Sequence, residues 1–267
     1  MTIDSLIVNV WRDNFEYEIK KISKLMKQYN YVSMDTEFPG VVAKPIGNFT
    51  SQSSYSYQQL RCNVDLLSLI QLGITLSDEN GITPEPRCTW QFNFAFNLDN
   101  DMFSRESIDL LTDASLEFSK HESCGLRIEE FGELLITSGL VMSRNVVWIS
   151  FHSSYDFGYL MKVLTCNPLP PNEEGFFKYL NALFPRFYDM KYILMGTKYL
   201  KRGLQEIADD LGVKRRGIQH QAGSDSHLTA MTFFKIKNML FDGVIDDNKY
   251  LGKLFGIESR CEEYSNV

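Results

Sequence analysis

Cysteine is scarce in this sequence and poorly spaced for its usual structural tasks. Five occur in 267 residues, at Cys62, Cys88, Cys124, Cys166 and Cys261, and no two form a C-x-x-C pair. The odd count and the missing pairs argue against a disulfide framework and against a structural zinc site, and point to reduced thiols in a cytosolic or nuclear protein. Excess positive charge is also lacking. The formal net charge is -7, which excludes a protein that coats nucleic acid by bulk attraction. It leaves room for a nucleic-acid enzyme, because buried carboxylates that hold divalent cations count as negative in such a sum. No apolar run approaches the ~18 residues of a membrane span, so no membrane association is expected. The opening Met1-Thr2-Ile3-Asp4 has no basic stretch leading into an apolar one, so no signal peptide is expected. Internal repeats and low-complexity tracts are absent.

What the chain does have is a composition that can bury a core: 44% hydrophobic and 23% charged residues, ordinary for a globular domain. Phe15, Ile19, Ile22 and Leu25 recur at helical spacing between Asn14 and Gln28. Tyr29 to Met34 reads as a strand that ends at Asp35. Ala43 to Leu60 is a polar stretch, a long loop or a loop plus the start of a helix. The second half of Asp65 to Leu76 suits a strand. From Thr89 to Phe96, Trp90, Phe92, Phe94 and Phe96 alternate with Gln91, Asn93 and Ala95, a period-2 strand pattern. Helices are expected over Arg105 to Ser119, Arg127 to Thr137, Tyr155 to Leu164, Glu173 to Phe184, Gly203-Leu204 to Leu211 (with Gly212 as its stop) and within Ala222 to Phe241. Val146 to Phe151 reads as a buried strand, and Phe187 to Asp189 as a short one. Three strands followed by alternating helices and strands indicate one α/β domain, a ribonuclease-H-like mixed sheet flanked by helices. Its expected span is residues 1–258, with 259–267 a frayed tail.

Asp35 and Glu37 close the first apolar strand expected. Residues i and i+2 of a strand share a face, and two adjacent carboxylates resist burial unless a cation lies between them. Asp156 follows the buried Val146 to Phe151 strand and opens a helix. Asp225 lies near the start of the last long helix. Each of these two also fits a plain first-turn acid. His220 precedes Asp225 by five residues in the glycine-flanked Gly217-Ile218-Gln219-His220-Gln221, placed to act as a general base. Four acids and one imidazole form a complete set for two-metal phosphodiester hydrolysis, in which cations about 3.5–4 Å apart stabilise the attacking and leaving oxygens. Carboxylate oxygens suit Mg²⁺ or Mn²⁺.

Three segments carry a closer likeness. Met34 to Ala43 (MDTEFPGVVA), Ser150 to Leu160 (SFHSSYDFGYL) and Gln219 to Ser226 (QHQAGSDS) resemble the motifs of the Caf/Pop-type deadenylases. These belong to the DEDD superfamily of 3′→5′ exonucleases, in the subclass with a histidine five positions before the last acid, and are catalytic subunits of the CCR–NOT mRNA-decay complex. Phe187 to Tyr192 and Gly203 to Glu206 match as well, so the resemblance runs from about Trp11 to Ile257. It implies that Asp35, Glu37, Asp156 and Asp225 hold two divalent cations, that His220 activates water, and that the substrate is a poly(A) tail degraded to 5′-AMP. It implies that Phe38 stands beside the scissile end, where it would stack on a base unless it is simply a core aromatic. It further implies a helical scaffold subunit and a second deadenylase as partners, and location in the cytoplasm and also the nucleus.

Two positions depart from the family pattern: Ser154 stands where glycine is expected, and His227 where an apolar residue is expected. His227 is near enough to His220 in sequence to perturb its pKa, whereas His152 reads as structural. Lys191 to Arg216 holds seven basic residues against three acidic ones. This is a candidate phosphate-guiding face, with Lys198 a substrate contact, or else a solvated surface. Leu134, Leu135 and Ile136 offer a candidate partner surface or core positions. Two other functions remain open on the sequence: a general 3′→5′ exonuclease, and a catalytically minor adaptor subunit of an mRNA-decay complex.

Overall fold

The computed structural model describes residues 6–258; the tail expected at 259–267 lies outside the described residues. In chain order the elements are β1 (Ile7–Val10), α1 (Phe15–Leu25), β2 (Tyr31–Glu37), α2 (Gln52–Leu66), β3 (Gln71–Ser77), β4 (Thr89–Asn93), α3 (Arg105–Asp113), α4 (Phe118–Cys124), α5 (Ile128–Thr137), β5 (Val147–Ser150), α6 (Ser154–Thr165), α7 (Glu173–Leu183), β6 (Phe187–Asp189), α8 (Met190–Ile193), α9 (Leu204–Asp210), α10 (Ala222–Leu240) and α11 (Asp247–Tyr250).

The six strands form one mixed sheet in the order β1-β4-β3-β2-β5-β6. β2 runs antiparallel to β3 and parallel to β5. β4 is antiparallel to β3, and the remaining neighbours, β1 with β4 and β5 with β6, are parallel. The two faces of β2 do different work. Val32 and Met34 join the larger core cluster with Phe15, Ile19 and Ile22 of α1, Phe131 and Leu135 of α5, and Phe157 and Leu160 of α6. Ser33, Asp35 and Glu37 take the opposite face by strand alternation, and α10 packs there, across β2, β3, β4 and β5. The close approach depends on Gly73 of β3: a Cβ there would stand 1.8 Å from the Ala222 carbonyl oxygen.

Several elements differ from the sequence reading. β1 was not expected, because four residues carry too little pattern. The polar stretch before Leu60 is a loop and then α2, whose start is capped by Ser51 Oγ accepting from the Ser54 N–H at 3.0 Å. The single helix expected over Arg105 to Ser119 is two, because the chain takes a left-handed turn at Ser115, with φ 67, without glycine or proline. The polar residues of β4 are as buried as its aromatic ones: Gln91 and Asn93 expose 3% and 1%. Gly212, with φ +69, follows α9 as its stop.

Candidate active site

Three elements bring four carboxylates together at the C-terminal end of β2. Asp35 and Glu37 come from β2, Asp156 from the first turn of α6 and Asp225 from the first turn of α10. The first-turn reading and the cluster reading of the last two acids are therefore compatible, and the helix N-termini add partial positive charge beside the acids. Thr36, between the two strand acids, links β2 to α6. Its N–H and its Oγ1 both donate to Asp156 Oδ1, at 2.9 and 2.7 Å.

Asp225 is held on both oxygens. Arg215 Nη1 lies 2.8 Å from Oδ1, and the His220 backbone N–H donates to Oδ2 at 2.9 Å. His220 has φ 61, a left-handed conformation that histidine visits more readily than most residues. Ligand atoms of Glu37, His220 and Asp225 all lie within 4.8 Å of one another. They face an open cleft of about 420 Å³, to which Asp35, Phe151, Gln205 and Arg215 also contribute. Asp156 lines a neighbouring cleft of about 350 Å³ with Phe38 and Tyr155.

The electrostatics follow from crowding. Burial first, then Asp225 and Asp156, raise the Asp35 carboxyl well above its ordinary value, and the same three causes raise Glu37. Arg215 opposes both shifts. Asp156 is pushed up to about 6 by burial, although its bonds from Thr36 pull the other way. An acid cluster with one arginine against it retains a charge deficit, and its donors are oxygens and an imidazole within a few ångströms. That donor set fits divalent cations such as Mg²⁺ or Mn²⁺.

The remaining residues singled out in the sequence occupy varied places. Phe38 is half-buried, with ring centroids 5.2 Å from Tyr155 (11° between planes) and 5.1 Å from Tyr159. Lys198 is exposed and sits 3.1 Å from Asp210, over the ring of Tyr199; it is not among the residues lining the acid cleft. Arg202 shares Asp210, and Lys191 Nζ donates to the Arg202 carbonyl, so much of the basic segment is paired. His227 is buried in α10, and desolvation together with Arg216 lowers its pKa to about 4. His152 donates its backbone N–H to the buried Asp189 and packs its ring edge-on against Phe255. Leu135 is core, Leu134 partly buried and Ile136 exposed. Arg215 was missed as an individual site residue, counted only within a basic segment. Its isolation between Lys214 and Arg216 gave no sign that it alone turns inward.

A mixed sheet of this order, with acids from its second strand and from two helix starts, defines a ribonuclease-H-like nuclease. The family model described as CAF1 family ribonuclease matches residues 10–127 and 127–233, and the chain belongs to that family. It is 52% identical over 255 residues to poly(A) ribonuclease pop2 of Schizosaccharomyces pombe, covering 96% of this chain and 76% of the relative. The solved structure of S. pombe Pop2p in its Mg²⁺- and Mn²⁺-bound form superposes with a TM-score of 0.93, covering 95% of this chain and 100% of that one. CCR4-NOT transcription complex subunit 7 of Caenorhabditis elegans is 47% identical over 239 residues, 88% of this chain and 77% of the relative. A yeast CAF1 co-crystallised with the NOT1 MIF4G domain is represented by a structure at 35% identity and TM-score 0.79, covering 94% and 96% of the two chains.

Proposed function

We propose that this chain is a poly(A)-specific 3′→5′ exoribonuclease that shortens mRNA tails and releases 5′-AMP. The observation that carries the reading is the approach of Glu37, His220 and Asp225 to within 4.8 Å in one open cleft, in a chain of the CAF1 ribonuclease family. Asp35, Glu37, Asp156 and Asp225 would hold two divalent cations, which supply charge stabilisation at the phosphate. His220 takes the proton of the attacking water at a ring nitrogen, and the water oxygen bonds to phosphorus as the bond to the 3′ oxygen of the RNA breaks. Asp225 fixes the backbone of His220, and Arg215 fixes Asp225. Phe38 and Lys198 are proposed RNA contacts, the first by stacking and the second at a phosphate after leaving Asp210.

The relatives named for the CCR4–NOT complex and for NOT1 support a helical scaffold subunit as partner, with a second deadenylase in the same assembly and a place in the cytoplasm and nucleus. Among the described residues, no helix is long and apolar enough to cross a membrane. Product analysis tests the reaction. RNA ending in adenosines should lose one nucleotide at a time from its 3′ end as 5′-AMP. Internal cuts, or a 3′-phosphorylated product, would overturn the proposal.

A further inference from the structure

The face of the sheet that carries the acids also carries an unusual set of buried amides. Strand pairing sets them in two rows. In one row Asp35 of β2 stands opposite Gly73 of β3, which stands opposite Gln91 of β4, which stands opposite Asn9 of β1. In the next, Glu37 stands opposite Gln71 and Gln71 opposite Asn93. Gln71, Gln91 and Asn93 are 1–3% exposed, and burying an amide is costly unless its hydrogen bonds are made.

Those bonds lead to α10. A helix leaves its first N–H groups without partners inside the helix, and Gln221 at the start of α10 supplies no side-chain cap. The sheet supplies it instead. Gln71 Oε1 accepts from the Ala222 N–H at 3.2 Å, and Gln91 Oε1 from the Gly223 N–H at 2.9 Å. The NH₂ ends are also engaged. Gln91 Nε2 donates to Asn9 Oδ1 and Gln221 Oε1, and Gln71 Nε2 to Asn93 Oδ1. Gln221 in turn donates to the Ala114 carbonyl. Because helix N–H groups can only be met by acceptors, the network fixes which way each amide faces. Gly73, opposite Gln91 and two residues along β3 from Gln71, leaves the space that the Ala222 carbonyl fills.

We propose that Gln71 and Gln91 are positioning residues of the active centre. They tie the first turn of α10 to the sheet rows that carry Asp35 and Glu37, and so fix where Asp225 and His220 stand. This rests on the assignment of those two residues above. Neither glutamine needs to touch RNA: each acts through the backbone of α10, two or three residues from Asp225. Ordinary helix capping would be satisfied by a polar N-cap side chain. A cap drawn from the same strand rows as the catalytic acids adds registration between β2 and α10, which a local cap cannot give.

The test compares Gln91→Met, which keeps length and loses the acceptor, with Gln71→Met. Asp225→Ala is run beside them. Turnover per folded molecule, KM for an adenosine-tailed RNA and Mn²⁺ affinity by calorimetry are measured for each. Gln91→Met should lose roughly 10- to 100-fold in kcat and a similar factor in Mn²⁺ affinity, the range for changes just outside a metal's own ligands. KM should change little. Should Gln91→Met fail to fold, Gln71→Met, which removes the longer of the two bonds, carries the same expectation. Methionine variants with lower thermal stability but parental kcat and Mn²⁺ affinity would reduce the glutamines to plain capping and overturn the proposal, as would a change in KM alone. An active Asp225→Ala would instead overturn the site assignment.

Discussion

Arg215 and Asp225 form a close, largely buried ion pair at the edge of the acid cluster, 2.8 Å apart with side chains only 13% and 12% exposed. The arginine is anchored from behind by Gln205 Oε1 and Ser224 Oγ, so it cannot swing freely to solvent. It is the one lysine or arginine among the described residues lining the cleft. Removing one partner of a buried pair costs about 3–5 kcal/mol, because the other charge is left uncompensated. Arg215→Met should therefore lower the thermal stability of the metal-free chain, and Mg²⁺ should recover part of the loss by replacing the missing positive charge. Equal losses with and without Mg²⁺ in thermal melts would contradict this.

Metal and pH should act together on stability. In the metal-free chain Asp156 is raised from an ordinary 3.8 to about 6, and Asp35 and Glu37 are raised well above the usual range. A folded carboxyl with a raised pKa holds its proton where the unfolded chain has released it. Stability from these groups is thus present at low pH and declines as pH rises from about 4 through 6 and beyond. Cations bind the deprotonated cluster and oppose that decline. The gain in Tm on adding Mg²⁺ should be larger at pH 8 than at pH 5, and a gain independent of pH would count against the coupling.

Asp35→Asn separates chemistry from folding. It removes a charge that Glu37, Asp156 and Asp225 all repel, so the metal-free protein should melt at a higher temperature than the parent. Cleavage should fall by more than about 100-fold, beyond the usual effect of changes outside the ligands themselves. Parental turnover in this variant would remove Asp35 from the site.

Phe38 is placed both to pack and to meet RNA. Phe38→Ala should destabilise the fold, by less than the ~3–5 kcal/mol typical of a fully buried phenylalanine, because the ring is only half covered. Phe38→Leu restores much of the packing and lacks the flat face, so it should fold well and show a higher KM for RNA at similar kcat. An unchanged KM would assign the ring to packing against Tyr155 and Tyr159 alone.

The acids were legible because their pattern is local: two carboxylates closing an apolar strand, and two more opening helices. Their mutual approach was legible only through the likeness of the three motifs to the deadenylase family, since it depends on Thr36 reaching Asp156 across 120 residues of sequence separation. β1 was hidden by its length of four residues. The break between α3 and α4 was hidden because a serine takes the left-handed turn that glycine or asparagine would have announced. Gln71 and Gln91 occupy strand positions that, in sequence, look like the wet face of an amphipathic strand. Only the placement of α10 over Gly73 shows that this face is dry and why amides are there. Lys198 illustrates the reverse: a basic cluster in sequence is partly neutralised in space by Asp210.

A 5′-labelled RNA carrying a 3′ run of adenosines, beside a matched RNA with a non-adenosine 3′ end, in Mg²⁺, Mn²⁺ and EDTA, puts metal-dependent deadenylation to the test. The expected result is stepwise shortening of the adenosine tail in either metal, arrest in EDTA and slowing at the last adenosines, with the control RNA largely spared. Equal trimming of both RNAs would contradict the poly(A) specificity, and shortening that persists in EDTA would contradict the metal-dependent site itself.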